Sequence, residues 1–370
     1  MLDGGEMAAA RAKRERKGAL EANQKGKGAF GAKRAENYGG KRGWTAALHG
    51  FYKPSNDIGG LGFFARLLFS ARSVILVISL QAAIIAGVVS YAAGLFHPLY
   101  FALLAIGFLS LHMASNLMND YFGYKREHDT SDSPRRNYTI HPLADRVLSE
   151  RGIKVVIVAL VLLASAIALF FTYLRGLPIL AFSLAGLALM LLYDASPVTL
   201  KSIGLGEIAA FIVWGPLMIG GGYYAITGSL ALNPFLISLP YGLGVMSILM
   251  GKHIDQMGFD RRKGQNTLPL LMGEGAARWA NTMIISLMYL LVFLLAYLGI
   301  ISVLSLVVLL NLPRATKSLS VFLRPRPRSP PAGYVGWPLW YHRFALLNNR
   351  DFGWLYIIGL ALGAIVAVHL

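Results

Sequence analysis

Two short polar segments interrupt an otherwise apolar chain, and both carry carboxylates next to Lys and Arg. The first runs Asn116-Leu-Met-Asn119-Asp120-Tyr-Phe-Gly123-Tyr-Lys125-Arg126-Glu127-His-Asp129. The second runs Lys252-His253-Ile-Asp255-Gln256-Met-Gly-Phe-Asp260-Arg261-Arg262-Lys263-Gly264-Gln-Asn-Thr267-Leu268. Carboxylates at the edge of a bilayer are costly and tend to mark function. Acidic residues beside basic ones suit a divalent metal holding a phosphorylated substrate, because Mg²⁺ takes carboxylates together with phosphate oxygens. On a helix, His112, Asn116, Asn119, Asp120 and Gly123 form one stripe at i, i+4, i+7, i+8 and i+11. His253, Gln256 and Asp260 form another at i, i+3 and i+7, with Asp255 turned about 100° from Gln256. Facing stripes would let Asp120, Asp129, Asp255 and Asp260 supply metal oxygens while Asn116 and Asn119 bond metal-bound water or phosphate. The competing reading makes all of these ordinary polar residues at headgroup level, and the matched pair of segments favours the first.

Positioning such stripes requires membrane helices. The chain has 370 residues, 55% hydrophobic and 14% charged, with a mean hydropathy of +0.54. A soluble domain carries about 25% charged residues, so the chain reads as an all-α polytopic membrane protein. Apolar runs near 73–95, 98–119, 152–174, 177–194, 207–227, 234–253, 279–298, 299–313 and 353–370 predict nine spans. Residues 1–45 lack core-forming side chains and read as a disordered basic tail. Residues 46–72 read as an interfacial amphipathic segment, with Phe63, Phe64, Leu67 and Leu68 on one face. The transmembrane domain is then 73–370. Loops 120–151, 195–206, 254–278 and 314–352 are strongly basic, whereas the opposite loops hold essentially Arg175 alone. The positive-inside rule therefore puts the N-terminus and both acidic segments on the cytoplasmic side. The net charge of +17 is assigned to anionic lipid rather than nucleic acid. The absence of cysteine excludes thiolate and disulfide chemistry.

The two segments resemble the motifs of the UbiA superfamily of intramembrane prenyltransferases, through Asn119-Asp120-Tyr-Phe-Gly123 to Asp129 and through Asp260-Arg-Arg-Lys-Gly264-Gln-Asn-Thr267-Leu268. The stretch Leu192-Tyr193-Asp194 to Gly206-Glu207, with Gly222-Tyr223-Tyr224 after it, is similar to the 1,4-dihydroxy-2-naphthoate branch. The resemblance covers about residues 60–370. It implies nine helices around a central cavity and Mg²⁺-dependent transfer of a polyprenyl group from its diphosphate to a lipophilic acceptor. Two departures stand out. Gly123 replaces the first motif's second Asp, and Gln256 takes the place of the second motif's first Asp because Asp255 and Asp260 are five apart.

On this reading Asp120 and Asp260 carry the metal and diphosphate, assisted by Asn119 and Asp255. Lys125, Arg126, Lys201, Lys252, Arg261 and Arg262 are the candidate diphosphate clamp, and Asn116, Tyr193 and His253 complete the substrate-binding set. Aromatic faces would shelter an allylic cation. An aspartate placed at 123 is expected to restore the missing ligand. Two alternatives remain: an isoprenoid-binding scaffold without catalysis, and a small-molecule transporter, though the mid-membrane stretches are nearly free of charge.

Overall fold

The structure is a computed structural model and describes residues 62–129, 133–134, 139–334 and 336–366. The basic tail of 1–45 and most of the 46–72 segment lie outside the described residues. Among the described residues every regular element is helical.

A short helix, α1 (Phe63–Ser70), lies at the start with Phe63 and Phe64 exposed. Arg72 then takes a left-handed conformation (φ 56, ψ 53) and turns the chain into α2 (Ser73–Ala92). That conformation is uncommon outside glycine. Asn116 Nδ2 donates to the Ala71 carbonyl at 2.9 Å and holds the joint against the next helix. Pro98 opens α3 (Pro98–Lys125), where its missing N–H costs nothing. Ser149 caps α4 (Glu150–Arg175) by accepting from the Gly152 N–H. Gly176 (φ 82) separates it from α5 (Leu177–Asp194). A 3₁₀ turn at Leu200–Ile203 leads into α6 (Gly206–Thr227). The middle of α6, Val213–Gly220, is π-helical around Pro216, whose missing N–H cannot sustain the usual ladder. Next come α7 (Leu232–Arg262), the short α8 (Leu268–Met272) and α9 (Glu274–Tyr297). A 3₁₀ segment, Val303–Asn311, runs directly into α10 (Leu312–Phe322), and α11 (Tyr341–Val366) closes the chain.

Seven of these helices, α2 to α7 and α9, have the length and hydropathy to cross a membrane. The runs expected at 299–313 and 353–370 take a different form. The first is 3₁₀ over Val303–Asn311, and its last two residues enter α10, which goes on through Arg314 and Lys317. The second begins a full three turns earlier than hydropathy marks it, because its first half holds His342, Arg343, Asn348, Asn349, Arg350 and Asp351. Both pack on the bundle: Val303–Asn311 against α11, and α11 against α7 and α2.

The largest core joins α2, α6, α7, α9 and α11 around Tyr241, Phe352 and Tyr356, all fully buried. By contrast α4 presents Val155, Val158, Leu162 and Leu169 outward. That is the pattern of a helix facing lipid on one side and the bundle on the other. Close approach of α6 and α7 rests on glycine. A Cβ on Gly242 would lie 3.0 Å from both the Gly215 Cα and the Phe211 carbonyl oxygen, small-residue packing of the kind bilayers favour.

Gly242→Val should therefore lower the melting temperature of the detergent-solubilised protein, at a cost of about 1–3 kcal/mol. Gly186, on α5 with no atom within 4 Å of an added Cβ, should accept Val with almost no change.

Candidate active site

Two cavities meet at the ends of α2, α3 and α7. The larger, about 540 Å³, is lined by α2 to α7 and is mostly apolar, with Phe108, Leu187, Trp214, Met218 and Ile248 among its walls. The smaller, about 70 Å³, is polar and is bordered by Gly123, His128, Asp129, Lys201, His253, Gln256, Asp260 and Gln265. Arg72, Asn119 and Lys252 border both. The polar chamber thus sits directly at the mouth of an apolar one.

Both acidic segments contribute to the polar chamber. The loop after α3 and the loop after α7 are tied to each other, Lys263 Nζ donating to the Glu127 carbonyl (2.9 Å) and Gln265 Nε2 to His128 Nδ1 (2.6 Å). Burial, with the positive charges of Lys201 and Arg126, pulls His128 below its ordinary range. The neutral ring can then accept from Gln265.

Each carboxylate has a distinct setting. Asp120 is fully buried, and the Arg72 guanidinium bonds it and Asn119 Oδ1 together. Asn119 Nδ2 donates to Asp194 Oδ1 (2.6 Å), which Lys201 Nζ also reaches (2.7 Å). Arg72, Asn119, Asp194 and Lys201 therefore form one chain of charge-assisted bonds along the rim. Across from them, His253 Nδ1 and Glu207 Oε1 are 2.6 Å apart and buried. Asp260 is buried, and its Oδ2 has no hydrogen-bond partner among the described residues. A bare buried carboxylate oxygen is expensive unless something charged completes it.

Asp129 reaches the chamber from a loop. After α3 ends, Glu127 adopts φ 53, and the N–H groups of His128 and Asp129 both bond the Gly123 carbonyl. The chain folds back and lays the Asp129 carboxylate over Gly123, where an added Cβ would collide with Asp129 Oδ2. The space over Gly123 is thus already taken by the Asp129 carboxylate, and an aspartate at 123 would have to displace it. His141 holds Asp129 from the other side, Nε2 to Oδ2 at 3.3 Å. Its Nδ1 accepts from the backbone N–H of Leu143 and Ala144, which leaves the ring proton on Nε2, facing Asp129. Burial alone would raise the Asp129 pKa, but the His141 hydrogen bond and the charges of Arg72 and Lys201 outweigh it and set it below the usual value. Ligand atoms of Asp120, Asp129 and His141 lie within 4.8 Å of one another.

Of the other residues singled out in the sequence, Tyr193 lines the apolar cavity beneath Lys201. Arg126 donates to the carbonyls of Asp194 and Ser196 and fixes the end of α5. Lys125 pairs with Glu150 on the exposed flank, and Arg261 and Arg262 are exposed at the end of α7. Asp255 is not brought to the chamber. It accepts the backbone N–H of Tyr341 and His342 at the start of α11 and lies 3.6 Å from Arg326. Gln256 borders the chamber instead, as the one-residue offset between the two aspartates implies. Arg72 and His141 were not among the expected site residues, whereas Asp194 and Glu207 were candidates for orienting the acceptor and sit here in the charged rim instead. Arg72 could have been suspected from its place between an interfacial segment and the first span, whereas nothing in local spacing marks His141.

A sequence model described as the UbiA prenyltransferase family matches residues 80–340. The chain is 29% identical over 195 residues to UbiA prenyltransferase domain-containing protein 1 of Rattus norvegicus, covering 52% of this chain and 56% of that protein. It is 24% identical over 233 residues to 1,4-dihydroxy-2-naphthoate octaprenyltransferase of Bacillus subtilis, covering 61% and 72%. The chain thus spans little more than half the length of relatives such as the rat protein. In fold it is similar to a UbiA homologue from Archaeoglobus fulgidus bound to GPP and Mg²⁺, with a TM-score of 0.55 at 15% identity over 82% of this chain and 100% of that one. With its two acidic segments gathered at the mouth of an apolar, helix-lined cavity, this chain belongs to the UbiA prenyltransferase family.

Proposed function

We propose that the protein transfers a prenyl group from a prenyl diphosphate to a lipophilic aromatic acceptor within the membrane, with Mg²⁺ in the polar chamber. The observation that carries this reading is the direct junction of the two cavities, which share Arg72, Asn119 and Lys252. A diphosphate fits the charged chamber, and a hydrocarbon tail fits the apolar one, whose volume suits a small lipophilic ligand. The relatives' names point the same way, and the naphthoate acceptor named for the Bacillus protein supplies the aromatic class.

The residues present suit a divalent cation. Asp260 Oδ2 is buried and unpartnered, and Asp120 and Asp129 bring two carboxylates close together. We assign Asp129, Asp260 and Asp120 to the metal, and Arg72, Lys201 and Lys252 to the diphosphate. Asn119 and His141 act as positioning groups. Bound there, Mg²⁺ would neutralise the charge that develops on the departing diphosphate. Asp255 is assigned to holding α11, and Lys125, Arg261 and Arg262 to the membrane surface. We place the chamber on the cytoplasmic side from the loop charges. A reporter fused after Arg175 should then read as non-cytoplasmic, and one inserted at Gly264 as cytoplasmic.

The deciding experiment incubates purified protein with Mg²⁺, prenyl diphosphates of several lengths and 1,4-dihydroxy-2-naphthoate. A prenylated product that disappears with EDTA and returns with Mg²⁺ is expected. Neither product nor Mg²⁺-dependent binding of any prenyl diphosphate would overturn the assignment. Asp260→Asn and Asp129→Asn should each lose on the order of several kcal/mol of transition-state stabilisation, while Lys125→Ala and Arg262→Ala should stay near wild type. Gly123→Ala should push Asp129 aside and raise the Mg²⁺ concentration needed for half-maximal rate. His141→Phe removes the hydrogen bond that lowers the Asp129 pKa. The acid limb of Mn²⁺ binding, followed by electron paramagnetic resonance, should then move to higher pH.

A further inference from the structure

The apolar cavity contains a polar cluster that a hydrocarbon tail cannot use. His112 lies on α3 two turns below Asp120, at i and i+8, an axial distance of about 12 Å. Ser79 Oγ is 2.7 Å from His112 Nδ1. Trp214 Nε1 donates to the same oxygen at 3.0 Å, and the Trp214 and His112 rings meet edge to face at 5.1 Å. All three residues line the larger cavity. Ser79 and His112 are buried, and no described group takes His112 Nε2. That nitrogen is accessible from the cavity, since it is not among the buried polar atoms left without a partner.

The local fold builds this cluster deliberately. Trp214 belongs to the π-helical stretch of α6, whose wider turn re-aims side chains relative to an α-helix. Three elements, α2, α3 and α6, each send one polar group to the same point. The cost of burying them is met only if Nε2 has a partner when water is displaced. A prenyl tail offers no polar atom, and its diphosphate is held two turns away. The missing partner must then belong to the second substrate.

We propose that His112, oriented by Ser79 and Trp214, binds an oxygen of the acceptor ring, a hydroxyl or carbonyl of a lipophilic quinol or quinone. This rests on the prenyl-transfer reading. The ring would lie between the diphosphate chamber and Nε2, with a ring carbon about 3–3.5 Å from the first carbon of the prenyl group, the separation from which bonds form. In the quinol form the ring carbon supplies the electron pair of the new C–C bond, and the C–O bond to the diphosphate breaks with its pair leaving on the diphosphate. The proton displaced from the ring carbon passes to that departing diphosphate. His112 takes no part in that exchange and acts as the anchor that sets which ring carbon is presented.

The test measures binding to wild type, His112→Phe and His112→Gln in lipid nanodiscs, without turnover. Two probes are used: 1,4-naphthoquinone, and geranyl thiodiphosphate with Mg²⁺ as a non-reacting donor. Phenylalanine keeps the ring and deletes both nitrogens, while glutamine can still place an amide near the Nε2 position. The expected result is at least a tenfold weaker Kd for 1,4-naphthoquinone in His112→Phe, partial recovery in His112→Gln, and a Kd for geranyl thiodiphosphate within twofold of wild type in both. Unchanged naphthoquinone binding in His112→Phe overturns the proposal, as does equal loss of both probes, which would mark His112 as a packing residue or a tail contact. Failure of wild type to bind geranyl thiodiphosphate would strike the prenyl-transfer reading itself. Binding of that donor by wild type without any naphthoquinone binding would strike only the acceptor site. Should His112→Phe fail to fold, Ser79→Ala, which frees the imidazole from its orienting hydroxyl, must weaken naphthoquinone binding by itself or the proposal falls.

Discussion

The arrangement of this domain turns on the cost of keeping carboxylates away from water. Asp120, Asp194, Glu207, Asp255 and Asp260 are all buried, and each unpaired charge would be heavily penalised. Four of them are met by the protein itself: Arg72 at Asp120, Lys201 and Asn119 at Asp194, His253 at Glu207, and two backbone N–H groups at Asp255. Asp260 Oδ2 and Glu207 Oε2 are left without a hydrogen-bond partner among the described residues. These pairings reach across α2, α3, α5, α6, α7 and α11, so they fix the helix ends relative to one another as well as neutralising charge. Arg72 is the hinge of the scheme. Its left-handed backbone turns α1 into α2 while its guanidinium joins the two neighbouring residues Asn119 and Asp120.

Asp255 shows how one residue of offset along a helix redirects a side chain. On α7 it stands about 100° from Gln256, which is enough to take it out of the chamber and set it under α11. There it accepts the N–H groups of Tyr341 and His342, the orphan donors of a helix N-terminus. It thereby secures the segment before α11, whose Leu339 and α11's own His342 border the apolar cavity. A residue expected in the metal set instead holds part of the cavity wall in place.

Much of this was legible in the sequence, for physical reasons. A helix crossing a bilayer needs an uninterrupted apolar run, so α5 falls where hydropathy puts it, at 177–194, and α4 and α6 begin or end within two residues of expectation. The Asn119-Asp120 and Asp260 positions could be read because a helical stripe has a fixed period. Legibility stopped where the period stopped. Asp129 was expected as a metal ligand, but the loop that folds it back into the chamber and the His141 that backs it are set by loop geometry, which no spacing encodes. Hydropathy missed the start of α11 because its first turns face protein, where polar residues such as Asn348 and Asn349 can be satisfied or packed against. The basic residues were the hardest to sort. Lys125, Arg261 and Arg262 look no different in sequence from Lys201 and Lys252, and only the direction of each side chain separates surface from chamber.

The fold-back of Asp129 over Gly123 has a consequence for how the chamber comes to exist. A ligand carried on a helix arrives with the helix, already in place once the bundle has packed. Here Asp129, the residue we assign to the metal, arrives on a short loop pinned by two N–H groups on one carbonyl and by a histidine from further along the chain. Completing the chamber therefore requires local ordering beyond assembly of the spans, and the entropy of that ordering is subtracted from the affinity for whatever cation enters. The glycine at 123 leaves the space that the Asp129 carboxylate occupies. A side chain there and the carboxylate at 129 compete for one volume, so any residue larger than glycine at 123 shifts the position of the carboxylate.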